Sequence, residues 1–436
     1  MSAPPRFGSP VPNFLGLLGD ILGLFQRVAA EGHDVTELAL LPGVRVFFVN
    51  RPDLIREVLD TRRDQFRKPK GLGDVRPAVG DNLQTLEGAE HRRHRLIAEP
   101  AMAPPSVARY AGEVADQGAR LRDEWRDGVI DLHGQMLELM FRISGRALFA
   151  SPVETEAPDV QEALDAVLAR AQRYNLPIGP LLDRLPLPST TRMRRGRERV
   201  DSYIDQMTRR ARDSGDPTSS LLAMMLAHDG EGGAPLTDAE ARDEAVFMFL
   251  AAWETVADAL TWTFYELARN PAEQDRLHAE VDGVLGGERP TAESVERMPY
   301  LGTVVKESLR LYAIGWGMLR QAAGNQELGG YTIPAKSYVL VSPFVTQRDG
   351  RWYPDPTTFS PDRWTRQDLA AAPYFPFSLG FRTCLGEHFA SMALPLLVAT
   401  LSQRWSFHPA AEKPVQPVPQ FALRPKGGLP LRVASH

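Results

Sequence analysis

The residue best suited to chemistry in this sequence of 436 residues is its single cysteine, Cys384. It lies in the segment 377–386, between Gly380 and Gly386, and directly before an apolar stretch with helical spacing. A thiolate at the start of a helix is stabilised by the helix dipole and by unpaired backbone N–H groups. The glycines leave room for a flat ligand and a second backbone, and Arg382 can neutralise a carboxylate of that ligand. The alternative is a buried structural cysteine at a helix start.

A long helix is predicted over residues 238–269, because its start and its end are both visible in the sequence. Thr237 and Glu240 have the spacing of a capping box, and the Asn-Pro dipeptide at 270–271 ends the helical pattern. At about 1.5 Å per residue, this helix would be about 48 Å long.

The polar pair Glu254-Thr255 lies at the centre of this predicted helix. The segment 246–252 just before it is apolar on every side and must therefore be buried. A carboxylate beside a hydroxyl in a buried helix can relay protons, with ordered water completing the path. The alternative is that the Thr255 hydroxyl bonds to the carbonyl one turn earlier and only bends the helix.

Composition and charge narrow the class of protein. The chain is 43% hydrophobic and 24% charged, which is typical of a globular protein, and its net charge of −5 gives no reason to expect a nucleic-acid partner. A single cysteine excludes an internal disulfide. The apolar stretch 14–25 is too short to span a bilayer, contains Asp20 and has no basic segment before it, so we predict a surface or core helix. We therefore expect a cytoplasmic protein without a membrane anchor.

The hydrophobic pattern predicts a mainly α chain with a small β portion near each end. Residues 53–310 have mostly helical spacing, and the segment after Arg310 changes to short strands broken by glycine and proline. The length allows two ordinary domains or one large fold organised around a buried cofactor. No repeat of fixed period is present, so one domain over residues 1–436 is the simplest organisation. The predicted elements include helices over 160–171 and 200–211, strands over 327–331 and 338–345, and a helix over 386–405.

The segment 377–386 resembles the haem loop of the cytochrome P-450 family, Phe-x-x-Gly-x-Arg-x-Cys-x-Gly, and matches it at every fixed position. Further family motifs follow in the expected order, so the resemblance covers residues 10–433 approximately. It implies the cytochrome P-450 fold, mainly α with small β portions, with haem b (iron protoporphyrin IX) buried between the long central helix and the Cys-loop helix. Cys384 is then the axial ligand of the haem iron. The haem-binding residues of this loop are Phe377, Gly380, Arg382, Cys384 and Gly386.

Two other segments are similar to motifs of the same family. Glu307 and Arg310 have the spacing of its Glu-x-x-Arg motif, and Arg363 looks like the arginine that completes that buried ion network. Without the resemblance, an exposed helical salt bridge would be the better interpretation of Glu307 and Arg310. A solvated basic patch would likewise be the better interpretation of the segment 91–95. The resemblance implies that the haem propionates are held by His91, Arg95 and Arg320.

The segment 251–255 is similar to the family's oxygen-binding segment, which implies that Glu254 and Thr255 are the acid and the alcohol that relay protons to dioxygen. Ala252 replaces the usual glycine, and Trp253 is far larger than the residues common at its position. Trp253 lies about 200° around the helix from Thr255, so the two do not share a face. We therefore expect Trp253 to pack or to line the edge of the pocket, not to contact oxygen.

The resemblance implies a haem-dependent oxidoreductase, a monooxygenase that oxidises a lipophilic small molecule of bacterial secondary metabolism, such as a terpenoid or a polyketide. No Gly-x-Gly-x-x-Gly fingerprint for flavin or nicotinamide is present, so electrons must come from an external ferredoxin or flavodoxin with its reductase. We expect that donor to dock on a basic patch that includes Arg92 and Arg93, and we expect a monomer. The apolar side chains expected to face the substrate are Met248, Ala251, Trp253, Ile314, Met318, Phe421 and Leu423.

Two alternatives stay open at this point. The first is a peroxide-driven haem-thiolate enzyme, or one diverted to nitrene transfer or ring coupling. The Glu254-Thr255 pair argues against the peroxide route, because a preformed O–O bond does not need that proton delivery. The second is a haem-binding sensor or carrier without turnover, which rapid oxidation of a reductant in the presence of oxygen would distinguish from an enzyme.

Overall fold

A computed structural model describes residues 3–40, 43–70, 73–150, 157–174, 179–230, 233–366, 369 and 372–436 of the chain. The chain divides into two units. The first consists of Met1–Asp74, Leu309–Thr358 and Asp362–Cys384, and the second of Val75–Ser308, Phe359–Pro361 and Leu385–His436. The organisation of the whole chain as one domain stays a prediction.

The first unit is built around a six-stranded sheet. Its strands, in order across the sheet, are β1 (Arg6–Phe7), β2 (Val35–Ala39), β3 (Arg45–Val49), β9 (Tyr338–Val341), β6 (Met318–Ala322) and β4 (Phe66–Arg67). The central strands β3 and β9 pair in parallel, and their other neighbours β2 and β6 pair with them antiparallel. Val35, Phe47, Val49 and Val339 point into the core of this unit, as β-branched and aromatic side chains favour. The predicted β portion near the N-terminus is therefore one sheet with strands from the later part of the chain.

The N-terminal apolar stretch forms two helices, α1 (Pro10–Gly19) and α2 (Ile21–Ala30). The prediction of one continuous helix over 14–25 is therefore wrong. Asp20 separates the two helices, because its backbone is not helical and its carboxylate accepts a hydrogen bond from the Gly23 N–H at 2.9 Å, as the N-cap of α2.

The strand predicted over 327–331 is a hairpin in the structure, formed by β7 (Gln326–Leu328) and β8 (Tyr331–Ile333). Gly329 and Gly330 make its turn with φ values of +59° and +83°, which favour glycine. The strand prediction thus has the right type of structure but spans a turn.

The strand predicted over 338–345 and the helix predicted over 386–405 both extend too far towards the C-terminus. β9 ends at Val341 and not at 345, because Ser342 caps the short helix α17 (Pro343–Thr346). The helix predicted over 386–405 is α18 (Glu387–Ser402), and Trp405 already begins strand β10 (Trp405–Pro409). Other helical elements of the first unit are α3 (Pro52–Arg56) and the π-helix Glu57–Thr61.

The second unit is mainly helical, as predicted. Its antiparallel sheet has the order β10, β13 (Pro430–Ser435), β5 (Gly128–Asp131), and a hairpin is formed by β11 (Pro417–Pro419) and β12 (Leu423–Pro425). Besides α18, its helices are α4 (Arg76–Val79), α5 (Gly88–Met102), α6 (Pro104–Ala108), α7 (Ala111–Glu124), α8 (Leu132–Phe149), α9 (Ala157–Arg173), α10 (Gly179–Arg184), α11 (Pro188–Asp213), α12 (Leu221–Ala227), α13 (Asp238–Arg269), α14 (Pro271–Leu285), α15 (Ala292–Glu296) and α16 (Pro299–Leu311), whose last residues belong to the first unit.

Helix α13 begins and ends where the sequence predicts. The Thr237 side chain accepts a hydrogen bond from the Glu240 N–H, and the Glu240 carboxylate accepts one from the Thr237 N–H, so the capping box is confirmed. Within the described part of the chain, α13 is the one helix that is long and apolar enough to cross a membrane, but 78% of its most apolar stretch is buried inside the protein. It is a core helix, and it packs against α8 and α18.

The Arg310 side chain is fully buried in the first unit and ties several turns of backbone together. Its Nη1 donates to the carbonyl oxygens of Gln347 and Pro356, each at 2.7 Å, and its Nη2 donates to that of Thr358 at 3.3 Å. The guanidinium also lies 4.9 Å from the centroid of the Tyr353 ring. A planar fork with several donors suits this set of acceptors.

The two other residues of the predicted ion network are buried as well. Glu307 is fully buried in the second unit, where it accepts a hydrogen bond from the Ser360 N–H at 3.0 Å. Arg363, in the first unit, is 5% exposed and donates to the Pro354 carbonyl at 2.6 Å. An exposed helical salt bridge is therefore excluded as the interpretation of this motif.

We predict that Arg310→Lys lowers the free energy of unfolding by about 3 kcal/mol or more, because an ammonium group cannot reach the three carbonyls and leaves buried acceptors unpaired. Denaturant unfolding measures this value. The matched control is Arg276→Lys, since Arg276 forms a surface ion pair with Glu273 and is 46% exposed. Equal stability of the two variants would contradict the structural role of Arg310.

Candidate active site

The loop that carries Cys384 is held by backbone hydrogen bonds within the first unit. The Cys384 N–H donates to the Phe377 carbonyl at 2.8 Å, and the Thr383 N–H donates to the Gly380 carbonyl at 2.9 Å. Gly380–Arg382 form one turn of 3-10 helix between these bonds. The Cys384 side chain is exposed and comes three residues before the first residue of α18. The buried structural cysteine is therefore excluded.

Gly380 cannot be replaced by a larger residue in this loop. Its φ of +69° is left-handed, and a Cβ atom there would lie 2.4 Å from a carboxylate oxygen of Asp60 in the π-helix Glu57–Thr61. The sequence suggested that the glycine makes room for a ligand and a second backbone, and the structure shows the Asp60 side chain in that space. Gly386 has a φ of −83°, which other residues adopt equally well.

Glu254 is fully buried on α13, and its carboxylate bonds to Arg424, a residue that the sequence analysis missed. Its Oε1 accepts a hydrogen bond from Nη2 of Arg424 in β12 at 2.6 Å, whereas its Oε2 has no hydrogen-bond partner within the described residues. Burial raises the pKa of Glu254 to about 7, although Arg424 acts to lower it, and the nearby Asp258 raises it further. Glu254 can therefore exchange a proton near neutral pH, as a general acid or base requires.

The Thr255 hydroxyl makes the bond that the sequence analysis gave as the alternative to a relay. It donates to the Ala251 carbonyl one turn earlier, with an O···O distance of 2.5 Å. The same back-bonding occurs at Thr261 and Thr263 further along α13. A hydroxyl that donates to a carbonyl keeps its oxygen as an acceptor, so the bond leaves one of the two relay functions of Thr255 available.

Trp253 faces away from Thr255 and packs in the core of the second unit. Its side chain is fully buried, its indole Nε1 donates to the Leu137 carbonyl of α8 at 2.9 Å, and its ring meets Phe141 edge to face at 6.0 Å. Among the apolar residues expected to face the substrate, Leu423 is also core, because it is fully buried and its carbonyl accepts from the Trp262 indole.

The three predicted propionate-binding residues lie in the two units. In the second unit, His91 is buried on α5 and Arg95, one turn later, forms an ion pair with Glu99 at 2.6 Å. In the first unit, Arg320 lies on β6 opposite Val339 and is 4% exposed. The interpretation as a solvated basic patch is thus wrong for His91.

The basic patch expected from Arg92 and Arg93 is weaker than predicted. Arg92 is exposed, but Arg93 is half-buried and bonded to Glu90 and Glu240. Hydrogen bonds from Thr237 and Arg93 outweigh burial and lower the pKa of Glu240 to about 2. Glu90, His94 and Glu240 offer ligand atoms within 4.8 Å of one another, but the Arg93 guanidinium already bonds to all three. This cluster is an ion-pair network between α5 and α13.

A family model described as cytochrome P450 matches residues 5–431 of the chain. The chain belongs to the cytochrome P-450 family. The match covers both units and includes the Cys384 loop and the centre of α13, so the resemblance found from the motifs is confirmed.

Three relatives from Streptomyces are similar to this cytochrome P-450 over most of its length. Cyclooctatin synthase of Streptomyces melanosporofaciens is 34% identical, covering 92% of this chain and 89% of the relative. Cyclooctat-9-en-7-ol 5-monooxygenase of the same species is 32% identical, with coverages of 94% and 92%. Pentalenene oxygenase of Streptomyces avermitilis is 30% identical, with coverages of 91% and 89%.

Two solved structures share the fold of this cytochrome P-450. A crystal structure of the cytochrome P450DA heme domain has a TM-score of 0.89 at 22% identity, covering 100% of this chain and 98% of the other. The retinoic acid-bound cyanobacterial CYP120A1 has a TM-score of 0.88 at 23% identity, with both chains covered fully, at 100%. The predicted fold, mainly α with small β portions, is therefore confirmed.

The side chains present fit the haem that this family binds. A haem requires a soft sulfur ligand for its iron and cations for its two propionates. Side chains of these types are present in the first unit, which contains the exposed Cys384 thiol with Arg320 and Arg382, and the second unit contains His91 and Arg95.

Three buried or half-buried residues around Glu254 escaped the sequence analysis: Arg424, which bonds to Glu254, and His133 and Asp258, which bond to each other. Asp258 had a signal, because a second carboxylate in an apolar helix one turn after Glu254 needs its own explanation. Arg424 had none, since it lies 170 residues after Glu254 in a short β-hairpin.

We predict that Trp253→Phe lowers the free energy of unfolding by about 1 to 3 kcal/mol without changing the products, because the substitution removes a buried hydrogen bond and leaves the Leu137 carbonyl unpaired. Thermal melting and product analysis measure the two effects. The matched control is Trp262→Phe on the same helix, whose indole also donates to a buried carbonyl. Altered products with an unchanged melting temperature, in the Trp253 variant alone, would show that Trp253 lines the pocket.

Proposed function

We propose that this cytochrome P-450 is a monooxygenase that holds haem b through the Cys384 thiolate and oxidises a lipophilic small molecule. The observation that carries the proposal is the exposed thiol of Cys384 in a complete haem-loop motif, fixed by the 2.8 Å bond to Phe377. When bound, the haem supplies the activation of dioxygen, which a thiolate ligand favours by donating electron density. The residues that would hold the haem are Phe377, Gly380, Arg382, Cys384 and Gly386 in the loop, with His91, Arg95 and Arg320 for the propionates.

In this proposal Glu254 and Thr255 deliver protons. Insertion of one oxygen atom into the substrate releases the other as water, and this reaction consumes protons and electrons in equal number. Glu254 exchanges a proton near neutral pH, and its Oε2 is available for the transfer. The Thr255 oxygen can accept a hydrogen bond and so orient a water molecule while its own hydrogen is held by the Ala251 carbonyl. Ordered water would connect the two groups.

The names of the relatives support a class of substrate. Two of the relatives are named for oxidation of pentalenene, a hydrocarbon by its name, and of cyclooctat-9-en-7-ol, an alcohol. Identity of 30 to 34% over about nine-tenths of each chain supports a related substrate here. We infer a terpenoid hydrocarbon or alcohol of bacterial secondary metabolism, in agreement with the lipophilic substrate expected from the sequence.

The electrons would come from an external ferredoxin or flavodoxin with its reductase. Arg92 is the exposed cation that remains from the expected docking patch, because the charge of Arg93 is compensated by Glu90 and Glu240. We further infer that the protein works as a monomer in the cytoplasm. The peroxide-driven alternative is disfavoured by the buried acid of Glu254, and the sensor alternative by the oxygenase relatives.

We predict that the reduced parent protein with carbon monoxide shows the strongly red-shifted haem band of a thiolate ligand and that Cys384→Ala loses it, because alanine has no donor atom. Absorption spectroscopy measures the band. Cys384→Ser is the matched variant, since it keeps the size of the side chain and replaces sulfur by oxygen. A red-shifted band that persists in either variant would rule out Cys384 as the ligand.

Thr255→Ala is expected to keep its haem content but to divert oxygen to peroxide, so that less product forms per reductant consumed. The matched control is Thr261→Ala, which removes the same back-bond from a buried position on the same helix. If Thr255 only bends α13, both variants should couple reductant to product equally well, and the relay would be refuted.

A further inference from the structure

A second buried ionisable pair lies next to Glu254 in the second unit. Asp258, one helical turn later on α13, is fully buried, and its Oδ1 bonds to Nε2 of His133 on α8 at 2.8 Å. Its Oδ2 has no hydrogen-bond partner in the described part of the chain. His133 is 7% exposed. The pair is therefore shielded from bulk water and faces the same side of α13 as Glu254.

The charged groups around the two carboxylates come from three neighbouring elements. Arg424 of β12 forms its 2.6 Å hydrogen bond with Glu254 and also interacts electrostatically with Asp258. Asp165, an exposed carboxylate of α9, interacts electrostatically with Arg424, His133 and Glu254. The carboxylates of Glu254 and Asp258 thus share one guanidinium, that of Arg424. Asp258 depends on His133 for its own counter-charge. Like charges this close in a buried site cannot ionise independently.

We propose that His133 and Asp258 are positioning residues for proton delivery, which switch a negative charge beside Glu254 on and off by moving one proton between them. The proton travels along the 2.8 Å hydrogen bond from Nε2 of His133 to Oδ1 of Asp258. An imidazolium and a carboxylate become a neutral imidazole and a neutral carboxylic acid, so the net charge of the pair stays zero. No bond between heavy atoms changes. This inference rests on the proposed function of Glu254 as the proton-delivering acid.

The switch acts on Glu254 through electrostatics. With Asp258 ionised, a second negative charge lies one turn away, and Glu254 retains its proton. With Asp258 neutral, that repulsion is absent and Arg424 interacts mainly with the Glu254 carboxylate, so Glu254 releases its proton. Burial raises the pKa of Asp258, although His133 and Arg424 act to lower it. Asp165 and the exposed part of Arg424 lead from this cluster towards solvent.

The chain contains a matched pair that has no such link to Glu254. On α5, His94 bonds through Nδ1 to the buried Glu244 of α13 at 2.6 Å, and burial raises the pKa of Glu244 as well. Glu244 lies ten residues before Glu254, about 15 Å along the helix axis at about 1.5 Å per residue. A buried histidine–carboxylate pair is thus present twice on α13. One pair lies beside Glu254, and the other lies far from it.

The test is an infrared titration of the holoenzyme, in which the carboxylic-acid band lost in Glu254→Gln identifies Glu254. The parent midpoint is expected near pH 7. Asp258→Asn should lower the midpoint by about one pH unit, because a like charge is removed. His133→Gln should lower it too, since Asp258 then loses its counter-charge and becomes neutral. Arg424→Gln should raise it, and Glu244→Gln should leave it unchanged.

Haem content and melting temperature verify that each variant is folded, and His133→Gln provides the answer if Asp258→Asn does not fold. An unchanged midpoint in either folded variant, while Arg424→Gln still raises it, would overturn the inference. The titration reports the proton on Glu254 whether or not that proton is used in turnover. A failure of the proposed function is seen separately, as unchanged coupling of reductant to product in Glu254→Gln.

Discussion

Helix α13 is buried along nearly its whole length, so each polar side chain on it must find a partner inside the protein. Its threonines meet this constraint locally, by donating to carbonyls one turn earlier. Its carboxylates cannot do so, because a backbone carbonyl repels a negative charge. Glu244, Glu254 and Asp258 therefore take partners from α5, β12 and α8, and these three contacts join the surrounding elements to α13.

The same constraint explains why function is concentrated on this helix. A buried carboxylate with one partner holds its proton near neutral pH, which a solvated carboxylate does not. Glu254 has one oxygen bonded to Arg424 and one without a hydrogen-bond partner among the described residues, an arrangement that a purely structural ion pair would not need. The cost of burying such groups is large, and replacement by apolar residues would remove it. Retaining three of them on one helix is consistent with a chemical role for at least one pair.

In the first unit, the constraint is backbone geometry. The Cys384 loop depends on the left-handed Gly380 and on Asp60 of the π-helix, which occupies the space where a side chain would be. Arg310 holds three carbonyls of the following turns, so the segment before the loop has little freedom. A thiol presented by a loop of this kind is pre-organised as a ligand, which is what separates it from the inert cysteine that its sequence context also allowed.

The sequence by itself determined the haem-loop motif, the bounds of α13 and the mainly α character, because caps, turns and hydrophobic periodicity act within a few residues. It also placed Trp253 off the face of Thr255 by helix geometry alone. Only the tertiary structure decided that Trp253 bonds to Leu137, that Arg93 forms an ion pair with Glu240, and that Glu254 is paired with Arg424. It likewise divided the N-terminal helix at Asp20 and shortened the predicted strand after Tyr338. The partner of a buried charge lies 125 residues away for Asp258 and 170 for Glu254, and no local pattern can specify a contact that forms only when distant elements pack.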